Sequence, residues 1–235
     1  MNLHTLGLIG GMSWVSTQTY FERINRFVQR HVGKTASAPM LIENLDFRRL
    51  YRAQTKEDWE NATNIIADSA QRLSEAGAEM IVIGANSMHK VYRDVEARVE
   101  TPILHIAECV GKQMAKDGVE RAALIGTRNV MTESFYRRRL VSHGVDLLPP
   151  EMDNVETLDR IIYEELMIGK ASKDARRALR SMFTNLQKEG AQAVILACTE
   201  LEMVVDVDAN ILPIYDCTAI HADAAAQWII GDEQA

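Results

Sequence analysis

Two short stretches of the chain end in residues that can move a proton or hold an anion. KEGAQAVILACTELE, at 188–202, carries an apolar run and then Cys198-Thr199-Glu200. EAGAEMIVIGANSM, at 75–88, has the same build and closes on Ala85-Asn86-Ser87. Laid together, Gly77 falls on Gly190, Ile81-Val82-Ile83 on Val194-Ile195-Leu196 and Ala85 on Cys198, at a constant offset of 113 positions. A thiol where a strand gives way to a helix N-terminus meets free backbone N–H groups, which favour the thiolate. Thr199, Asn86 and Ser87 can cap a helix or donate to a bound carboxylate. From the residues alone Cys198 has two readings, a catalytic group or a buried inert thiol.

These residues need a scaffold, and the chain alternates short apolar runs with amphipathic stretches. Strands are expected at 5–9, 39–45, 80–84, 102–106, 121–126, 145–148, 193–197 and 213–215. Helices are expected at 16–32, 56–77, 108–117, 132–142, 155–168, 172–189 and 219–229, with others opening after Ala85 and after Cys198. The 56–77 helix is the clearest, with Trp59, Ala62, Ile66, Ala70 and Leu73 at three- and four-residue steps. The first strand feeds Gly10-Gly11-Met12, either a tight turn or a carboxylate-binding loop. The GxGxxG spacing of a dinucleotide site is absent. Leu124-Ile125-Gly126, running into Thr127, echoes Leu8-Ile9-Gly10, and the strand at Pro213 echoes the one at Pro102.

Three echoes in one order indicate an internal duplication. The expected fold is α/β, with two pseudo-symmetric doubly wound lobes, parallel sheets and an active site in the cleft between them. The first lobe takes 1–115 together with the closing helix at 216–235, and the second takes 116–215. In open α/β sheets ligands bind at the carboxyl ends of the strands.

Composition removes several classes of function. A formal net charge of −7 argues against nucleic acid or an anionic membrane surface as the partner. The basic run Arg137-Arg138-Arg139 reads as a solvated helix face. No apolar run reaches the roughly 18 residues of a membrane span, and the start lacks the pattern of a signal peptide, so a cytoplasmic protein is expected. Cys109, Cys198 and Cys217 lack CxxC spacing, and the histidines lack HxxxH or HExxH spacing, so no metal is indicated. Cys109 reads as structural, whereas Cys217, just past a strand end, is open to lining the site. His89 reads as structural; the residues leave His105 and His221 undecided.

GGMSWVSTQTYFERIN, ANSMHK, HIAE, IGTRNVMTESFYRRRL, IIYEEL, ACTELE and YDCTAIHADAAA together resemble the cofactor-independent aspartate/glutamate racemase superfamily, and most of all its bacterial broad-specificity amino-acid racemase branch. The resemblance spans nearly the whole chain. It implies two α/β lobes, a homodimer, an amino-acid substrate and no pyridoxal phosphate or other cofactor. It also implies a mechanism in which two opposed cysteines act on the α-carbon, one removing a proton and the other returning one. Cys198 matches the second of these cysteines. Gly11, Met12, Gln54, Asn86, Ser87, Thr127 and Thr199 are the expected substrate-binding residues, Gln54 from a loop that similar proteins place over the substrate.

The chain departs from the family pattern where the chemistry lies. The first cysteine is Ala85, Ser87 stands where threonine is usual, and Val130 replaces an expected hydroxyl. Met167 stands near a lysine of aspartate-specific members, and Glu200 occupies the histidine place of the glutamate-racemase CTH motif. Three readings follow: a racemase with Cys198 on one face and water, Ser87 or another group on the other; a one-cysteine decarboxylase of the same superfamily; or an amino-acid-binding protein with impaired turnover.

Overall fold

Leu6–Gly10 (β1) is buried at every residue, as a parallel strand covered on both faces requires. It pairs in parallel with Met40–Asn44 (β2) and with Met80–Ile83 (β3), and β3 pairs with Ile103–Leu104 (β4), giving the order β2-β1-β3-β4. The later strands are Arg121–Gly126 (β5), Asp146–Leu147 (β6), Ala193–Ala197 (β7) and Ile214–Asp216 (β8). They form a second parallel sheet in the equivalent order, β6-β5-β7-β8. The registers repeat as well. Leu8 faces Val82 and Ile9 faces Ile83 in one sheet, as Leu124 faces Ile195 and Ile125 faces Leu196 in the other. These are the residues that the sequence echoes align. The α/β fold with two parallel-sheet lobes is therefore as expected.

The computed structural model describes residues 2–206 and 210–231. One compact unit runs to Ile106 and resumes at His221; the other is Ala107–Ile220. In the first unit Leu6, Leu8 and Val82 pack with Tyr20, Ile24 and Val28 of Trp14–Val32 (α1). Ile9, Ile81 and Ile83 pack on the opposite face with Trp59, Ala62, Ile66, Ala70 and Leu73 of Lys56–Glu75 (α2). A capping box, in which the Thr55 hydroxyl and the Asp58 carboxylate each accept the other's backbone N–H, starts α2. In the second unit Ile125, Val194 and Leu196 pack with Met152–Glu164 (α7) and Lys173–Lys188 (α8).

Two helices change places. Ile106–Lys116 (α4) follows β4 of the first sheet but counts with the second unit, where Glu108 bonds Arg139 and His143 and where Asp117, just past its end, accepts the Tyr215 hydroxyl at 2.8 Å. Cys217–Ile229 (α9) follows β8, yet from His221 onward it counts with the first unit, its Ala222, Ala225, Ala226 and Ile229 packing on Leu6 and Leu8. The first unit thus breaks after Ile106; an amphipathic pattern does not say which sheet a helix covers.

Several expected helices are shorter or tighter. After Ala85 the chain makes a 3-10 turn, Ser87–Val91, and then Tyr92–Glu96 (α3). The helix expected at 132–142 is two, Arg128–Thr132 (α5) and Ser134–Ser142 (α6), parted by an extended Glu133. After Cys198 there is only the 3-10 turn Thr199–Met203. The basic run does not form a solvated face: Arg137 donates to the carbonyls of Leu147 and Leu148, Arg139 pairs with Glu108, and Arg138 is exposed.

Gly11 has φ +85°, and a Cβ there would sit 2.2 Å from the Leu45 carbonyl oxygen. Gly77 has φ +98° with open space around it. Gly11→Ala should therefore cost more than about 2 kcal/mol, and Gly77→Ala only about 1 kcal/mol. Urea denaturation of both variants checks the order; equal losses would contradict it.

Candidate active site

Parallel pairing puts Gly126 of β5 opposite Ala197 of β7, so Thr127 and Cys198 leave the sheet side by side. Thr127 stands at the N-cap of α5 but makes no capping bond, and its buried hydroxyl has no hydrogen-bond partner. A buried hydroxyl left unsatisfied costs about 1–3 kcal/mol, which a carboxylate acceptor would relieve. The next N–H, of Arg128, is already engaged by Asp159 at 3.1 Å.

Cys198 is buried and extended, with φ −159°, before the chain tightens into its 3-10 turn. Its thiol donates to Glu200 Oε2 at 3.1 Å. Burial pushes the thiol well above its ordinary range, and the adjacent Glu200 carboxylate pushes further in the same direction. The backbone N–H groups of Glu200 and Leu201 pull the other way and are outweighed. The thiolate expected from a helix N-terminus is thus corrected to a neutral thiol. A five-residue turn supplies little dipole, and the sequence placed a carboxylate where it opposes ionisation. Beside it, the Thr199 and Thr218 hydroxyls are 3.3 Å apart, and the Thr218 and Ala219 N–H groups donate to Asp216 Oδ1 at 2.8 and 3.1 Å.

The other expected residues belong to the first unit. Ala85 is half-buried against the α2-side core, with Asn86 buried and Ser87 half-buried after it. The Gly11 N–H donates to Thr17 Oγ1 at 2.7 Å, so that donor is engaged within its own loop. Met12 is a core side chain. Gln54 is exposed, and its N–H joins that of Thr55 on Asp58 Oδ2 at the start of α2. Among the departures from the family pattern, Val130 is fully buried and Met167 packs against the core that contains Cys198. Cys217 is fully buried and receives the Tyr136 hydroxyl at 3.0 Å; Cys109 is buried in α4, its thiol pushed up to about 12.

The histidines left undecided by sequence are buried in the first unit. His89 donates from Nδ1 to the Ala85 carbonyl at 2.9 Å and accepts the Ile106 N–H at Nε2, 3.3 Å away. The His105 ring packs against it, 4.6 Å between centroids. His221 donates from Nε2 to the Leu104 carbonyl and accepts the Tyr20 hydroxyl at Nδ1. Burial, then the nearby His89, pushes His221 down to about 3. These contacts engage both ring nitrogens of His89 and of His221, as structural groups.

Two groups at the Cys198 end were given no role by sequence, Glu200 and Thr218. Glu200 was visible two residues after the thiol, but in the helix expected there residues two apart do not face each other. The extended Cys198 and the 3-10 turn bring it round. Among the described residues no three or more His, Cys, Asp or Glu side chains are grouped to hold a metal, and no helix is long and apolar enough to cross a membrane.

The family model described as Asp/Glu/Hydantoin racemase matches residues 9–225. The chain belongs to this family. It is 40% identical to a candidate Asp/Glu racemase from Yersinia pestis, over 97% of this chain and 100% of that one, with a TM-score of 0.90. An aspartate racemase homologue from Pyrococcus horikoshii OT3 is 30% identical over 97% of this chain and 100% of its own, with a TM-score of 0.83. The broad specificity amino-acid racemase RacX of Bacillus subtilis (strain 168) is 20% identical over 240 residues, 91% of this chain and 93% of that protein. In this racemase-family chain six of the seven sequence motifs include or closely follow the carboxyl end of a strand, β1, β3, β4, β5, β7 or β8, and IIYEEL lies at the end of α7.

His221 also sets a pH dependence. The unfolded chain protonates it below about 6.5, whereas the folded protein keeps it neutral until about 3. Between those values the unfolded state holds the extra proton, so stability falls as pH drops, by up to about 1.4 kcal/mol per unit. His221→Gln should make the acid limb of the stability curve shallower. An unchanged slope would contradict the buried neutral histidine.

Proposed function

We propose that this protein is a pyridoxal-phosphate-independent amino-acid racemase in which Cys198 transfers a proton on one face of the substrate α-carbon. The observation that carries the reading is Cys198 itself, a buried thiol at the end of β7, hydrogen-bonded to a carboxylate and beside an unpartnered Thr127 hydroxyl. Inversion at a carbon bearing a proton needs removal on one face and return on the other. The carbanion formed next to a carboxylate needs donors around that carboxylate. Thr127 and Thr199 are our first choices in the second unit, and Asn86, Ser87 and the Gln54 side chain in the first.

Ala85 occupies in the first repeat the position that Cys198 holds in the second, and a methyl group transfers no proton. Water, Ser87 or another side chain serves the second face, and Ala85 limits the rate. By family likeness the working form is a cytoplasmic homodimer. The same methyl group favours a second reading, a decarboxylase in which one thiol protonates the enediolate left by loss of carbon dioxide and no partner is needed.

Chiral chromatography of L- and D-amino acids incubated with the protein tests the first reading. Wild type should interconvert at least one pair, and Cys198→Ala should lower the rate at least about 100-fold. Ala85→Thr or Ala85→Cys should raise it. Unchanged racemisation by Cys198→Ala would overturn the assignment, and no gain from either Ala85 variant would place the second base elsewhere. Release of carbon dioxide from substituted malonates without racemisation would favour the decarboxylase.

A further inference from the structure

We propose that Glu200 is the proton partner of Cys198, taking the thiol proton when sulfur must act as a base and resupplying it when sulfur must act as an acid. The proposal rests on the racemase reading above and names a group that the family match leaves unassigned. Three observations support it. The Sγ–Oε2 contact is direct, at 3.1 Å, with the thiol as donor. It is built by backbone conformation, since the extended Cys198 and the following 3-10 turn bring the side chain two residues on back to the sulfur. Finally, the thiol is buried whereas Glu200 is half-buried, so the carboxylate joins an occluded sulfur to the protein surface.

The electrostatics suit an exchange within the pair. Thiolate and carboxylate together would be two negative charges in contact, which burial makes costly. Thiol with carboxylate, or thiolate with carboxylic acid, carries only one, so a proton shared by the pair moves without adding charge. In the removal direction the S–H bond breaks and an O–H bond forms on Oε2. The thiolate lone pair then takes the α-proton, and the C–H electron pair stays on the α-carbon, delocalised into the substrate carboxylate. Glu200 releases its extra proton to solvent to reset the site. In the delivery direction the S–H proton passes to the carbanion, and a protonated Oε2 returns one to sulfur. Glu200 acts through Cys198 and does not itself touch the α-carbon.

A structural role and a proton-partner role separate when two rates are measured on Glu200→Gln, Glu200→Asp and Cys198→Ala. One is exchange of the substrate α-proton with solvent deuterium. The other is iodoacetamide alkylation of Cys198 across pH, followed by peptide mass. In Glu200→Gln the carboxylate charge no longer opposes thiolate, so alkylation should rise severalfold and its pH profile move to lower pH. Exchange should meanwhile fall at least about tenfold, because the proton acceptor is gone. Glu200→Asp should recover part of the exchange.

Alkylation and exchange falling together, or exchange unchanged in Glu200→Gln, would overturn the proposal. If wild type exchanges no amino acid, the racemase reading fails instead. The alkylation profile then still decides the pairing, since an unmoved profile in Glu200→Gln would overturn it.

Discussion

Strands that run parallel all end on one edge of their sheet, and residues leaving that edge are the ones freed from the hydrogen-bond ladder. Everything chemical in this chain follows from that constraint. Both faces of each sheet are covered, so β1, β5 and β7 are apolar along almost their whole length. Polar chemistry is confined to the residues just beyond them. Thr127 and Cys198 stand together because Gly126 and Ala197 are register partners, and Asp216 closes the adjacent β8. The first sheet repeats the order and register with Gly10-Gly11 and Ala85-Asn86-Ser87 in the corresponding places. Ala85 is therefore a change at a position whose counterpart carries the thiol.

Strand positions were legible because a doubly covered strand leaves an apolar run that no surface element needs. The α2 stripe was legible for the same reason, and its capping box follows from Thr55 and Asp58 three residues apart. What sequence did not show was geometry below one helical turn. Ser87–Val91 and Thr199–Met203 read as helix openings and are 3-10 turns, too short for an amphipathic period to register. The packing of α4, which follows β4, with Arg139 and His143 is likewise not announced by its amphipathic pattern. The Gly11 N–H looked free in sequence because nothing there announces that Thr17, one turn into α1, turns back to accept it.

The same blindness hid the most consequential contact. A thiol after a strand and before a helix suggests a stabilised thiolate, yet burial reverses the sign, and Glu200, folded back onto the sulfur, adds to it. The outcome is a cysteine that rests protonated and can give its proton to an adjacent carboxylate. His89 and His221 have both ring nitrogens engaged, with backbone groups and the Tyr20 hydroxyl, as structural histidines do.

The most direct measurement is proton NMR of the α-hydrogen in heavy water, with wild-type protein and each enantiomer of a panel of amino acids supplied separately. A thiol working on one face, with a slower route on the other, predicts that the α-signal of one enantiomer is lost quickly and that its deuterated mirror image accumulates more slowly. Retention of the α-proton in both enantiomers of every amino acid would contradict proton transfer by Cys198 at an amino-acid α-carbon.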